Sequence, residues 1–247
     1  MSKVIAVLGA GTGLGVSVAR RFGREGFRVA LVARRRDRLD ALVESLAGEG
    51  VEAAAFSADL SEPAEVPALV AAVRDRFDRI DVVEYGPIGG AMPFTPAAEL
   101  DAATLEGLSR LLLLTPVEVF RAVLPEMTER GDGALLMTTG YSAVRPMPHL
   151  SGVGPVMAAA RNYLYSLNGE LDGTGVYAGT LSVRAGIARS EMIEGQMGGT
   201  AAGSALLDAF PVVDPDELAE HYWDMYTERG GVERIHPEAP APELLVG

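Results

Sequence analysis

Residues 3–33 read KVIAVLGAGTGLGVSVARRFGREGFRVALVA, and they decide the fold. Val4 to Leu8 is a β-branched apolar run of strand length. Gly9, Gly11, Gly13 and Gly15 follow at once, making a tight turn that opens a helix. From Val16 to Glu25 the spacing is helical, with Val18 and Phe22 on one face and Arg20, Arg21 and Arg24 on another, and Gly26 ends it. Phe27 to Val32 is a second strand. A strand, a glycine turn, a helix and a second strand form a βαβ unit, whose first turn is built to cradle phosphates. Its glycines let the backbone approach a pyrophosphate, and the helix N-terminus favours an anion.

The alternation continues down the chain. Helices are predicted at Arg38–Ala47, Pro63–Phe77, about Leu105–Arg130, about Pro155–Leu171 and Asp214–Thr227. Strands are predicted at Val51–Ser57, Ile80–Glu84, Ala134–Thr138 and Val176–Val183. Such a pattern predicts an α/β, Rossmann-type doubly wound parallel sheet in three layers, as a single domain over residues 1–247. Residues 191–211, rich in Gly and Met, suit a substrate lid. Residues 237–247 read as a C-terminal tail.

The second strand ends at Ala33, where an acidic side chain would bind the 2′-hydroxyl of NAD. Arg34, Arg35 and Arg36 follow instead. A guanidinium suits a 2′-phosphate, so NADP(H) is the expected cofactor, with Arg34 ahead of Arg35 as its contact.

Composition narrows the partners. The net charge of -13 argues against nucleic acid and anionic membrane surfaces. The absence of cysteine excludes disulfides, thiolate-held clusters and a cysteine nucleophile. The apolar run Val4–Leu8 is too short for a signal-peptide core, and no stretch reaches the roughly 18 apolar residues of a membrane helix. The expectation is a soluble cytoplasmic protein with a small-molecule substrate. His149, His221 and His236 show no metal-ligand spacing, so no metal is expected.

Further motifs bring the chain close to a known family. Asp59-Leu60 follows the third strand. Leu124-Pro125-Glu126-Met127 and Gly131 precede the fifth. Arg145-Pro146-Met147-Pro148 forms a loop, and Ala185-Gly186-Ile187-Ala188-Arg189-Ser190 follows the sixth strand. With the glycine turn, whose spacing is three residues and then one, these resemble the short-chain dehydrogenases/reductases over roughly residues 3–195. The resemblance implies cofactor contacts at Gly9, Gly11, Thr12, Gly13, Leu14, Gly15, Ala33, Arg34, Arg35, Asp59, Leu60, Gly86, Gly186 and Ile187. It also implies a homodimer or homotetramer through the helices at about Leu105–Arg130 and Pro155–Leu171. Leu111 to Leu114 fits that use, or else packs within one subunit.

The resemblance breaks at the catalytic positions. The family's Ser, Tyr and Lys positions fall on Gly140, Val153 and Met157, and its helix Asn near Leu112. Lys3 is the one lysine in the chain, so no shift of alignment restores a Tyr–Lys pair. Hydride transfer to a ketone makes an alkoxide that needs an acid, a contribution of about 10²–10⁴-fold. Tyr141, Tyr85 and His149 are the candidate substitutes, with Glu84, Thr138, Thr139 and Ser151 nearby. Three functions remain open. One is an NADP(H)-dependent oxidoreductase with a non-standard active site, acting on a carbonyl, imine or enone. The second is a nucleotide-binding pseudoenzyme. The third is a non-redox isomerase or cyclase.

Overall fold

The computed structural model describes residues 2–88, 94–191, 193 and 210–238. Among them, seven parallel strands form one sheet: β1 (Val4–Leu8), β2 (Arg28–Ala33), β3 (Ala53–Ser57), β4 (Val82–Tyr85), β5 (Gly133–Gly140), β6 (Val176–Val183) and β9 (Glu233–His236). Their order is β3-β2-β1-β4-β5-β6-β9. The chain winds outward from β1 to β3, then returns to lay β4 on the other side of β1. That reversal opens a crevice at the carboxyl ends of β1 and β4, where ligands bind in such sheets. A second, two-stranded pair joins β7 (Gly186–Ile187) to β8 (Val212–Val213).

Both faces of the sheet are covered, which explains why the central strands are mostly apolar. On one face lie α3 (Val66–Phe77), α5 (Thr115–Arg130) and α6 (Val153–Glu170), packing Val70, Phe120 and Leu164 onto Val83 and Leu135. On the other lie α1 (Leu14–Arg24), α2 (Arg36–Gly48) and α7 (Pro215–Glu228), packing Phe22, Leu39 and Tyr222 onto Val29 and Leu136. Trp223 belongs to this second core, edge-on to Phe22 at 5.2 Å between ring centres. The expected α/β/α architecture is the observed one.

Three local departures matter. The long helix expected over 105–130 is α4 (Ala102–Ser109), then a π-helical segment at Arg110–Leu114, then α5. Strand β9 was not expected: three of its four residues are charged or titratable, and pairing with β6 makes it a half-buried edge strand. The third helix starts as a 3-10 turn at Pro63–Glu65. Residues 192 and 194–209 of the expected lid, and 239–247 of the expected tail, lie outside the described residues. Among the described residues, no helix is long and apolar enough to cross a membrane.

Candidate functional site

The crevice begins at the glycine turn. Gly9 sits at φ +97°, and a Cβ there would lie 2.6 Å from the backbone nitrogen of Pro87. Glycine is therefore required by the fold, and it lets Gly86 N–H donate to Leu8 O at 2.9 Å. Gly11 is different: among the described residues other than its chain neighbours, a Cβ on it would meet nothing nearer than Gly9 O at 3.9 Å. The folded chain itself places no demand for glycine at that position, as expected of a turn kept open for a ligand. No side chain caps α1, so its positive end is available to an anion. Arg189 and Ser190, beyond β7, close one side of the turn. Thr12 Oγ1 donates to Arg189 O at 2.8 Å, and Gly13 faces Ser190. Leu14 and Gly15 begin α1.

At the end of β2, Ala33 gives way to an exposed basic edge. Arg34 makes no side-chain ion pair among the described residues, and its carbonyl accepts from Ser57 Oγ at 3.0 Å. Arg35 and Arg38 both hold the Glu191 carboxylate. Arg38 was missed in the sequence, although it lies one helical turn beyond Arg34 and Arg35. Asp59 accepts from Ser61 N and Oγ at 2.9 and 2.7 Å. These bonds, with the nearby charge of Arg34, hold its carboxyl below the usual range. Leu60 is buried beside it in the core.

A cavity continues from this crevice. Gly86, Pro87, the end of β5 from Thr138 to Gly140, Tyr141, Val153, Met157 and the stretch 183–187 line it. Gly186 and Ile187 are thus on its wall. Gly140 N–H points at Met157 Sδ, 3.1 Å away, and Leu112 packs with Val153 and Met157 in one apolar cluster. Leu112 reaches that cluster from the π-helical segment. Gly140, Val153 and Met157 give the cavity an apolar wall, and Leu112 lies outside its described lining.

The three candidate substitutes separate. Tyr141 lines the cavity. Tyr85 does not: it is 1% exposed, and its hydroxyl donates to Leu111 O at 2.5 Å, satisfying a carbonyl of the π-helical segment. Burial pushes its pKa well above the ordinary value. The expectation for Tyr85 is corrected, since a core phenol bonded to backbone has no route to a substrate. His149 lies beside the cavity and is not among its described lining residues. It is exposed, at φ +64°, and its neighbours Met147 and Leu150 line the cavity instead.

Beneath the cavity floor lies a polar network that alternation alone did not reveal. Glu84 is 1% exposed and accepts from Thr138 Oγ1 at 2.9 Å, while Thr138 Oγ1 also meets the Tyr222 hydroxyl at 2.7 Å. Burial pushes the Glu84 carboxyl up to about 8, against the pull of its Thr138 bond. It is a neutral acid at neutral pH. Thr139, Thr180 and Ser182 form a second buried hydroxyl cluster, tied to Glu233 at 2.7 Å through Ser182.

Two of the histidines that looked scattered meet in space. His221 Nε2 lies 2.8 Å from His236 Nδ1, and His236 Nε2 lies 3.4 Å from Glu217 Oε1. Arg234 approaches His221 Nδ1 at 3.2 Å. With Nδ1 accepting from a guanidinium, Nε2 of His221 carries the proton. The expectation that the histidines offer no metal-ligand grouping is corrected, since one ligand atom each from Glu217, His221 and His236 lie within 4.8 Å of one another. Helix α7 and strand β9 assemble it, and their sequence separation hid it.

Comparison with known proteins decides the lineage. The family model for short chain dehydrogenase matches residues 3–196. The chain belongs to the short chain dehydrogenase family. Within that oxidoreductase family it is similar to sulfoacetaldehyde reductase 2 of Chromohalobacter salexigens, 30% identical over 89% of this chain and 86% of that protein. It is 31% identical to a short chain dehydrogenase of Pseudocercospora fijiensis over 73% of this chain, which spans 58% of that longer protein. Among solved folds, L-sorbose reductase from Gluconobacter frateurii, complexed with NADPH and L-sorbose, matches at TM-score 0.80 and 23% identity, covering 95% and 94% of the two chains. Actinorhodin polyketide ketoreductase with NADPH matches at TM-score 0.81 and 24% identity, covering 95% of each. Both are likenesses of fold.

Proposed function

We propose that this short chain dehydrogenase is an NADP(H)-dependent oxidoreductase with a non-standard active site, acting on a small carbonyl, imine or enone. One observation carries the reading: a turn left open at Gly11 leads into a cavity whose wall includes Gly140, Val153 and Met157, with Leu112 packed in the same apolar cluster as Val153 and Met157. The residues suit the cofactor. Gly9 to Gly15 and the end of α1 would take the pyrophosphate, Asp59 and Leu60 would flank the adenine, and Gly186 and Ile187 would border the nicotinamide. Arg34, with Arg35 and Arg38, would take the 2′-phosphate, no acidic residue standing at Ala33 to repel it. Bound NADPH supplies a hydride.

The wall's chemistry then selects the acceptor. An iminium carbon becomes a neutral amine and needs no acid. A reduced enone is protonated afterwards by water or by Tyr141, the phenol on the cavity wall. A saturated ketone needs a proton as its alkoxide forms, and the apolar wall withholds it. The proposed partners are small molecules, with neither nucleic acid nor membrane. The proposed assembly is a homodimer or homotetramer through α5 and α6, where Leu114 and Tyr165 are exposed.

The test follows NADPH oxidation with a cyclic imine, an enone and a saturated ketone. Consumption of imine or enone at least about a hundredfold faster than ketone is expected. NADPH binding without oxidation by any acceptor would contradict the reading and leave a nucleotide-binding pseudoenzyme. Fast ketone reduction would show that a proton donor does reach the cavity.

A further inference from the structure

Of the described residues lining the cavity, Arg184 is the one that carries a charge. It stands at the end of β6, half-buried, with its backbone N–H donating to His236 O at 2.8 Å. Its guanidinium makes no hydrogen bond and no ion pair among the described residues, and its Nε is buried without a partner. Its one close neighbour of note is the Tyr141 ring, 5.9 Å from Cζ to ring centre.

The arginines around it are treated differently. Arg161 is held by Glu233, Arg189 by Asp214 at 2.7 Å, and Arg234 by Asp224 at 3.0 Å. Acidic residues outnumber basic ones by 34 to 21, so counter-charges are plentiful in this chain. A guanidinium kept unpaired in an apolar cleft is costly until an anion arrives. Its planar fork of donors matches a carboxylate in two parallel hydrogen bonds, strengthened where water is excluded. The rest of the wall, including Met147, Leu150, Val153 and Met157, suits a short apolar body.

We infer that Arg184 is the recognition residue for an acidic substrate, a small organic molecule whose carboxylate docks on the guanidinium while its apolar body lies along the wall. This rests on the reading of the cavity as the substrate site, and it narrows the substrate class to carbonyl, imine or enone compounds that carry a carboxylate. The anion holds one end of the substrate and so fixes which carbon faces the nicotinamide position. Arg184 serves in binding and orientation and gives up no proton.

The experiment is calorimetry on the full chain saturated with NADP+, which blocks the phosphate-binding residues from taking the probe. The probes are pentanoate, butane-1-sulfonate and the neutral pentanamide. Pentanoate is expected to bind about tenfold to a hundredfold tighter than pentanamide, the range of a charge-assisted hydrogen bond. Arg184→Met should erase that preference, and Arg184→Lys should keep part of it. Butane-1-sulfonate binding as tightly as pentanoate would overturn the carboxylate assignment in favour of oxyanions generally. Equal binding of pentanoate and pentanamide, or no binding of either, would overturn the inference, as would a preference that survives in Arg184→Met. Should that variant fail to fold, the wild-type comparison of acid with amide and the Arg184→Lys variant still decide. If the nucleotide does not bind, the same titrations on the nucleotide-free chain read the anion preference, so failure of the cofactor reading and failure of this inference remain distinct.

Discussion

The two ends of the crevice obey different rules. At the β1 end, Gly9, Gly13 and Gly15 all stand against backbone or neighbouring loop, so the turn retains the shape that a dinucleotide requires. At the β5 end, Gly140, Val153 and Met157 line the cavity, Leu112 packs with Val153 and Met157, and none of the four offers an acid, base or cation. Of the described residues on the cavity wall, Arg184 alone is charged, and the buried Glu84 lies beneath Thr138. Binding geometry and proton chemistry are therefore separable on this fold. The first depends on backbone, which tolerates little change. The second depends on a few side chains, which a stable sheet can exchange for others.

The largest test of that contrast lies under the cavity. Glu84 has a folded pKa of about 8 against an ordinary 4.5. Because the folded value is the higher, its contribution is fully present below the unfolded pKa and is lost as pH rises through the folded one. Each unit of that window costs about 1.4 kcal/mol, roughly 5 kcal/mol in all. Urea unfolding at several pH values should show stability falling between about pH 4.5 and 8, and Glu84→Gln should flatten that part of the profile. A wild-type profile without the fall would mean that Glu84 is ionised and solvated, removing the buried acid from the account.

Next in size is the turn. Gly9→Ala places a Cβ against Pro87 at a positive φ, and should cost on the order of 3 kcal/mol together with NADPH binding. Gly11→Ala meets open space, so it should fold normally and lose affinity for NADPH alone. Equal loss of stability in both variants, measured by thermal unfolding, would erase the distinction between a glycine the fold needs and one the ligand needs.

The smallest effect concerns Glu191. Its carboxylate occupies Arg35 and Arg38, the guanidinia proposed for the 2′-phosphate. Exposed pairs of this kind are worth about 0.2–1 kcal/mol, so Glu191→Gln should tighten NADPH by no more than a few-fold and leave NADH unchanged. Weaker NADPH binding in that variant would mean that Glu191 orients the arginines for the phosphate instead of competing with it.

How much of this was legible in the sequence follows from the range of the interactions. The glycine turn, the alternation of strands and helices and the missing Tyr–Lys pair are local patterns, and the structure agrees with them in fold. Motif spacing also pointed to Gly140, Val153 and Met157, which the structure places on the cavity wall, and to Leu112, which packs with Val153 and Met157. What escaped depends on distant segments meeting. His221 and His236 approach only when β9 joins β6. Arg38 meets Glu191 only across the crevice. Arg184 is informative because of what does not pair with it, which no linear pattern records. Tyr85 was misread for the same reason: its position at a strand end suggested the cleft, while its hydroxyl turns into the core toward the π-helical segment.

The most direct measurement is calorimetric titration of NADPH and NADH into the wild-type chain and into Arg34→Ala. The account predicts tight NADPH binding, NADH binding weaker by about tenfold or more, and a variant that loses about that much affinity for NADPH while its NADH affinity is unchanged. Equal affinity for the two nucleotides, or no binding of either, would contradict it.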